Sequence, residues 1–296
     1  MRREGPPRAS NSAPIGGREA AKPRAWGDHA SARTLRDAFA TAWLWLVCLF
    51  AAFPILYMLV TSFKTRAMLY EPARLLFSPT LDNYRVAIVK YGLHRYIVDS
   101  LIVSSLNVAV CIVVGTAAAY GLHKFAFAGK RSLMFSILSA RIVPSIALVI
   151  PFYILGITLH LLDTYTILVV AFMVFNLPFV VVMMKSFLAN LPPDCEEAAM
   201  LDGCSRAGAL ARIVLPQIRG GLFATAVMTF LAAWNEFTYA LFLTSTNVKM
   251  ISTAVVFFKT ERGILWGEVS ALGVIAVLPV LVLCVVTQKY FVKSVA

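Results

Sequence analysis

Six long apolar stretches restrict this chain to very few kinds of fold. They cover residues 38–62, 97–121, 132–157, 164–187, 220–243 and 266–288. Each is long enough to cross a bilayer, because a transmembrane helix needs roughly 20 mainly apolar residues. A helix also satisfies its backbone hydrogen bonds within one segment, which a chain in lipid must do. The sequence therefore predicts an all-α, polytopic membrane protein with six transmembrane helices.

The composition excludes several other classes. Hydrophobic residues make up 59% of the chain and charged residues 14%, whereas a soluble domain carries about 25% charged residues. The net charge of +12 does not predict a nucleic-acid partner, because the basic residues cluster at the ends of the apolar stretches, where they set topology. The five cysteines form no C-x-x-C or Cys/His cluster, so neither a disulfide framework nor a metal site is predicted.

Residues 1–36 differ from the rest of the chain. They contain eight lysines and arginines together with several prolines and glycines, a composition typical of disordered segments. They lack the short apolar core and the small-residue cleavage site of a signal peptide. We predict a disordered basic tail over 1–36 and a transmembrane domain over 37–296.

The distribution of lysine and arginine predicts the orientation in the membrane. Six spans place both termini on one side. If that side is the cytoplasm, the cytoplasmic segments contain 17 lysines and arginines and the outer segments nine. The positive-inside rule favours this arrangement. Both termini, the basic tail and the segment 188–219 are therefore predicted to be cytoplasmic.

Prolines interrupt the third and fourth apolar stretches. Pro144 and Pro151 lie in the third and Pro178 in the fourth. Proline removes a backbone donor and clashes with the preceding turn, so we expect a kink or a local opening of the helix at these positions.

The segment between the fourth and fifth stretches contains the most specific motif of the chain. The pattern is E-A-A-x-x-x-G followed, after nine residues, by I-x-L-P. Its residues, with the acidic residue that precedes the glycine, are Glu197, Ala198, Ala199, Asp202, Gly203, Ile213, Leu215 and Pro216.

The residues around this motif predict its local structure. The segment 191–194 reads Leu-Pro-Pro-Asp, which is typical of a helix start. Gly203 fits the position after the last helical residue, where a positive φ is often needed. Ser205 can cap a second helix, and Pro216 marks its end. We therefore predict two short helices joined by a sharp bend at the membrane surface.

This motif resembles the cytoplasmic coupling loop of the permease subunits of binding-protein-dependent ABC importers. The resemblance implies a type I ABC importer transmembrane domain with its core at about 96–288 and its coupling loop at 188–219. It also implies that the eight motif residues contact an ATPase subunit. Ala198 and Ala199 would give a small face for close approach, and Glu197 a charge for a basic residue at the rim of a groove.

Other segments resemble the carbohydrate-importing branch, and in particular its shorter, maltose-permease-type subunit. They include Leu-Asp-Asn-Tyr at 81–84 and Trp-Asn-Glu-Phe at 234–237. The resemblance implies a permease subunit of a sugar importer in the bacterial inner membrane, with a di- or oligosaccharide as substrate. A glycerophosphate, a polyol or another small solute is equally compatible with these segments.

The same resemblance implies a set of partners. They are a second homologous permease, two ATPase subunits, an extracytoplasmic solute-binding protein, the sugar and the membrane lipid. The sequence contains no G-x-x-x-x-G-K-[ST] phosphate-binding loop. We therefore expect a subunit that is not an enzyme and binds no cofactor, while its partner ATPase uses ATP and Mg²⁺.

Several polar and aromatic residues lie inside the apolar stretches. An ionisable group there is costly and usually faces a cavity or a partner, and a sugar path needs hydrogen-bonding groups and an aromatic face. A structural explanation is also open, because Arg141 could pair with Glu236, and an asparagine within a span often joins helices. The candidate pathway residues are Arg141, Asn176, Trp234, Asn235, Glu236 and Tyr239.

Two other classes of protein fit the sequence less well than the importer. A proton-driven secondary carrier often shows paired inverted repeats, and no convincing second copy of any segment is present. An intramembrane enzyme would need a cluster of His, Asp or Glu, or a nucleophile with a base, and the sequence has no such constellation. Sensitivity of uptake to vanadate would separate an ATP-driven importer from a secondary carrier.

Overall fold

A computed structural model describes residues 27–71, 76–192, 194–260 and 263–295 of the chain. For residues 27–36 and 288–295 it describes the backbone alone. The predicted disordered tail lies outside the described residues from 1 to 26. Residues 27–36 are helical, so the predicted boundary at residue 36 lies too far along the chain. This segment contains no proline, and several of its residues favour a helix.

The chain divides into two compact units, residues 1–53 and 54–296. In the first unit, the described residues belong to a single helix, α1, which spans Gly27–Ser62 and continues into the second unit. The second unit contains the other elements.

The first half of the second unit is built from helices. After α1 come a 3₁₀ turn at Ala67–Tyr70, α2 at Asp82–Arg85, a π-helical turn at Val86–Lys90 and α3 at Leu93–Lys124. They are followed by α4 at Lys130–Ser139, a 3₁₀ turn at Ala140–Ile142, α5 at Ser145–Thr158 and α6 at Tyr165–Ala189.

Shorter elements dominate the second half. The coupling loop contains α7 at Asp194–Leu201, α8 at Arg206–Ala209, a π-helical turn at Leu210–Val214 and α9 at Leu215–Gln217. They are followed by α10 at Arg219–Trp234, α11 at Thr238–Leu243 and a 3₁₀ segment at Ile251–Phe258. A two-stranded antiparallel hairpin of β1, Lys259–Thr260, and β2, Gly263–Ile264, precedes α12 at Trp266–Val295.

The described helices provide four to six membrane spans. Four are long and apolar enough to cross a membrane alone, at Asp37–Ser62, Leu93–Lys124, Tyr165–Ala189 and Trp266–Thr287. Two bent pairs raise the number to six if each pair forms one span. The fold is a helical, polytopic membrane protein, as the sequence predicts.

The third apolar stretch, 132–157, is not one continuous helix. It breaks at Val143 and Pro144, where the segments Lys130–Ile142 and Ser145–Thr158 meet at 97°. Val143 is extended, with φ −69° and ψ 125°, because the ring of the following proline disfavours the helical conformation. Pro151 and Pro178, in contrast, lie inside α5 and α6.

The fifth apolar stretch, 220–243, is also divided. Helix α10 ends at Trp234 and α11 begins at Thr238. The Glu236 carboxylate accepts a hydrogen bond from the Tyr239 backbone N–H at 3.0 Å, which satisfies a free donor in the first turn of α11. At its other end α10 meets the coupling-loop helices at 82°.

Helices α3 and α6 form the centre of the second unit, and α10 packs against both. The contact is close because Gly115 on α3 faces Val180 on α6; a Cβ added to Gly115 would lie 2.6 Å from Val180 Cγ1. Asparagines also join the two helices: Asn176 donates to the Asn107 side chain at 2.7 Å, and Asn107 donates to the Val169 carbonyl at 3.0 Å. Small and polar residues at a contact between helices are a common way to hold transmembrane helices together.

An aspartate fixes the loop 244–248 at the end of the bundle opposite the coupling loop. Asp163 accepts hydrogen bonds from the backbone N–H groups of Ser245, Thr246, Asn247 and Val248 at 2.8–3.2 Å, and from two hydroxyl groups. Desolvation works to raise the pKa of Asp163, but the four backbone donors outweigh it and hold the pKa well below its usual range. On α3, Asp99 accepts from Tyr165 and from the Lys249 backbone.

Replacing Asp163 with asparagine should destabilise the protein in a pH-dependent manner. At neutral pH we expect a loss of about 2 kcal/mol, because hydrogen bonds to a charged acceptor are replaced by weaker ones. A carboxylate whose pKa is lowered on folding contributes fully above its unfolded pKa of about 3.9 and loses that contribution as the pH falls further.

The thermal unfolding midpoint of the purified protein, measured from about pH 7 to about pH 3, checks this expectation. The difference in unfolding midpoint between wild type and Asp163→Asn should become smaller below about pH 4. Asp82→Asn, at an exposed position, is the control and should change the midpoint little. A gap that stays constant over the whole range would contradict the proposed role of the charge.

Candidate functional site

The motif in the coupling loop forms two short helical segments with a tight turn between them. Helix α7 ends at Leu201, and Gly203 adopts φ +87°. The Gly203 N–H donates to the Met200 carbonyl and the Cys204 N–H to the Ala199 carbonyl, which is the Schellman arrangement of helix ends. Glycine accepts this backbone conformation without the Cβ clash that other residues meet.

The second segment starts and ends with local signals. The Ser205 hydroxyl accepts from the Gly208 N–H at 3.2 Å and caps α8. The helix then widens into the π-helical turn at 210–214 before Pro216. Proline lacks an N–H and clashes with the fourth preceding carbonyl, and a π turn shifts the hydrogen-bond register there. The segment ends at Gln217, one residue beyond the end predicted at Pro216.

The motif residues divide by exposure. Glu197, Ala198, Asp202, Gly203 and Pro216 are exposed, while Ala199, Ile213 and Leu215 are half-buried. Leu201, which the motif does not include, has a side chain that is 89% exposed at the end of α7. A large apolar side chain on the same surface as Glu197 suits a docking contact with another protein.

A buried glutamate that the sequence did not mark as functional joins α7 to the bundle. Glu196 accepts a hydrogen bond from the Tyr120 hydroxyl at 2.5 Å, and Lys124 Nζ lies 3.2 Å from its other carboxylate oxygen. Desolvation works to raise the pKa of Glu196, but Tyr120, Lys124 and the charge of Arg206 lower it below its usual value. Glu196 and Glu197 are adjacent but differ in burial, so one faces the bundle and the other faces outward.

Apolar contacts fix the second segment to the same helices. Val214 and Ile218 are buried in a cluster with Leu122 of α3 and Leu188 of α6. The coupling loop is thus attached at α7 by a charged contact and at 214–218 by apolar packing. Such a loop can transmit a displacement to α3 and α6, because it is fixed to both.

Two of the predicted pathway residues take part in helix packing. Asn176 is buried and bonded to Asn107, as described above. Trp234 is buried, donates from Nε1 to the Ala276 carbonyl at 3.2 Å and stacks on Phe230. These contacts join α6 to α3 and α10 to α12.

The other four predicted pathway residues lie in different environments; they are Arg141, Asn235, Glu236 and Tyr239. Tyr239 is fully buried, with Phe152, Phe172 and Phe175 around its ring, and its hydroxyl has no hydrogen-bond partner among the described residues. Arg141 and Asn235 are exposed. The guanidinium of Arg141 lies 5.1 Å from the centre of the Phe179 ring, and Asn235 donates to the Leu231 carbonyl.

An ion pair between Arg141 and Glu236, an explanation that the sequence left open, is not found between these two described residues. Arg141 contacts Phe179 and Glu236 caps α11. The break between α10 and α11 gives Glu236 a backbone partner, which a continuous helix would not have offered. Within the described part of the chain, no three His, Cys, Asp or Glu side chains are grouped to hold a metal ion.

Comparison with known sequences agrees with this architecture. The profile of the family described as "Binding-protein-dependent transport system inner membrane component" matches residues 111–296. The chain belongs to this family. The permease is 35% identical over 268 residues to the probable ABC transporter permease protein y4oR of Sinorhizobium fredii, covering 89% of this chain and 96% of that protein. It is 31% identical over 253 residues to the trehalose/maltose transport system permease protein MalG of Thermococcus litoralis, covering 84% and 91%.

A solved structure shares the fold of the permease. It is a bacterial ABC transporter involved in the import of the acidic polysaccharide alginate, with a TM-score of 0.72 and 20% identity. The match covers 94% of this chain and 100% of that chain. At this identity the likeness establishes the type I ABC importer transmembrane fold. The family match makes the permease an inner-membrane component of a transport system.

Proposed function

We propose that the permease forms half of the translocation pore of an ATP-driven, binding-protein-dependent importer of a carbohydrate, a di- or oligosaccharide. The relative named for trehalose and maltose transport supports the substrate class, as do the segments at 81–84 and 234–237. The second half of the pore is a homologous permease. An extracytoplasmic binding protein delivers the sugar.

The main support for this proposal is the structure of the coupling loop. Its exposed surface of Glu197, Ala198 and Leu201 docks into a groove of the ATPase, while Glu196 and Val214 hold its inner side to the bundle. Two ATPase subunits bind ATP and Mg²⁺, and this chain supplies no residue to that chemistry. The loop and both termini are cytoplasmic, in agreement with the positive-inside rule.

Alternating access follows from this arrangement. Closure of the ATPase dimer displaces the coupling loops, which move α3 and α6 and open the pore to the outside. Hydrolysis and release restore the inward-facing state. Arg141 and Asn235, the two exposed residues of the candidate set, line the path against the second permease, while Asn176, Trp234, Glu236 and Tyr239 hold the helices that form its wall.

Co-purification from detergent-solubilised membranes tests the proposal. The wild-type permease should bring down an ATPase and a second permease. Glu197→Lys combined with Gly203→Asp should lose the ATPase and keep the second permease, because it reverses a surface charge and strains a turn at positive φ by about 1 kcal/mol. Asp82→Lys makes the same charge reversal as Glu197→Lys at an exposed position outside the loop and should keep both partners.

Two outcomes would contradict the proposal at different points. Retention of the ATPase by the double variant at the wild-type level would show that the exposed surface of the coupling loop is not the docking site. A wild-type chain that purifies alone and moves solute after reconstitution would show that it is a secondary carrier.

A further inference from the structure

A cavity of about 1040 Å³ lies between the end of α3, the start of α4 and the end of α6. It is at the end of the bundle that carries the coupling loop. Its apolar wall contains Leu122, Phe127, Met134, Phe135 and Leu138. Phe135 is 72% exposed, so this wall opens away from the interior of the chain.

Three cations converge on the same cavity. Lys130 and Arg131 come from the first turn of α4, and Lys185 comes from the last turns of α6. None of the described residues that line the cavity is acidic. Lys130 donates to the Phe125 carbonyl at 3.0 Å, and the ion pairs between described residues involve neither Arg131 nor Lys185.

Basic residues at the ends of spans are usually sufficiently explained by topology. Topology requires only that they lie on one side, however, and not that residues from two distant helices meet at one cavity. Charges of one sign around an apolar cavity repel one another, and a bound anion lowers that cost.

We propose that this cavity binds an anionic phospholipid. The phosphodiester would lie between Arg131, Lys185 and Lys130. The part of an acyl chain nearest the headgroup would pack against Phe135, Met134 and Leu138. Basic pockets between transmembrane helices at the membrane surface suit anionic headgroups, and the volume is at the upper end of the range for small-ligand sites. A soluble anion would gain nothing from the apolar wall, so a lipid fits both halves of the cavity better.

The lipid would also act on transport. It would connect α6 to α4, the helix that precedes the break at Pro144. Anionic lipid in the membrane should therefore stabilise the assembled permease. This inference rests on the membrane fold and remains independent of which substrate the proposed importer carries.

Native mass spectrometry of the purified complex tests the site. Delipidated complex is titrated with phosphatidylglycerol, and with phosphatidylcholine as the neutral comparison. Arg131→Gln with Lys185→Gln should weaken phosphatidylglycerol binding about fivefold for each cation removed, or roughly 25-fold in total. Arg85→Gln with Lys90→Gln removes the same charge from exposed positions outside both the cavity and the coupling loop and should leave the affinity within about twofold of wild type.

A second variant separates charge from folding. Arg131→Lys with Lys185→Arg keeps both charges and should bind phosphatidylglycerol like wild type; a complete loss here would contradict an electrostatic site. Equal weakening in the control pair would attribute the effect to net charge and overturn the proposal. Competition by millimolar inorganic phosphate would identify a free-phosphate site instead of a lipid site, and no preference of the wild type for phosphatidylglycerol would also overturn it.

None of these outcomes depends on the coupling loop. The co-purification test can fail while the lipid titration succeeds, and the reverse also holds. The two proposals are therefore distinguishable.

Discussion

Replacing Glu196 with alanine should detach α7 from the bundle and leave the ATPase bound. The substitution removes the carboxylate that joins Tyr120 and Lys124. Hydrogen bonds to a charged group contribute about 1.5–3 kcal/mol, and we take the lower value because Lys124 is partly exposed. The population of the detached loop should therefore rise at least about tenfold.

Hydrogen–deuterium exchange of the purified complex measures this change. The amides of α7 should exchange about tenfold faster in Glu196→Ala than in wild type, while those of α6 should change little. Glu197→Ala is the matched control, since it removes the adjacent, exposed carboxylate and leaves the contact with Tyr120 in place. We expect the two substitutions to have different effects. Glu197→Ala should weaken ATPase co-purification, and Glu196→Ala should uncouple ATP hydrolysis from uptake. Unchanged exchange of α7 in Glu196→Ala would rule out the anchoring role.

Replacing Gly115 with alanine should destabilise the centre of the bundle. The added Cβ would lie 2.6 Å from Val180 Cγ1 and 3.4 Å from Leu177 Cδ1, so α3 and α6 must move apart or Val180 must leave its rotamer. Overpacking of this kind costs about 1–3 kcal/mol. We expect a lower thermal unfolding midpoint for the purified protein.

Gly121 offers an unusually close control for this experiment. It lies on the same helix, and a Cβ added to it meets no atom of the described residues within 4 Å. Alanine there should stabilise the helix, because glycine in a helix interior costs roughly 0.5–1 kcal/mol relative to alanine. The two substitutions should therefore shift the midpoint in opposite directions. Val180→Ala should restore much of the stability lost in Gly115→Ala, and failure of that rescue would place the strain elsewhere.

The features that sequence alone predicted are those encoded by neighbouring residues. The turn at Gly203 and the cap at Ser205 depend on contacts within a few positions, so the local residue pattern predicts them. The apolar stretches are likewise a local property of composition. The membrane fold and the two-helix form of the coupling loop were therefore predictable.

The features that were missed depend on residues far apart in sequence. Glu196 meets Tyr120 across 76 positions, and nothing in the immediate surroundings of Glu196 marks it as buried. The break after Trp234 involves no proline, so the sequence of the fifth stretch does not predict that it forms two helices. Pro144 did mark a disturbance, but a proline indicates that a helix is interrupted and not by how many degrees it turns.

Helix α3 has a mechanical consequence for the whole subunit. It is a single helix of 32 residues that holds Asp99 near one end and Tyr120 near the other, about 30 Å apart at 1.5 Å per residue. Asp99 accepts a hydrogen bond from the Lys249 backbone N–H, and the Tyr120 hydroxyl donates one to Glu196 of α7. In the proposed mechanism, a displacement of the coupling loop would reach the far face of the membrane through this one stiff helix, without intermediate rearrangements. The far rim and the proposed ATPase contact would then move together, and the subunit would act as a lever.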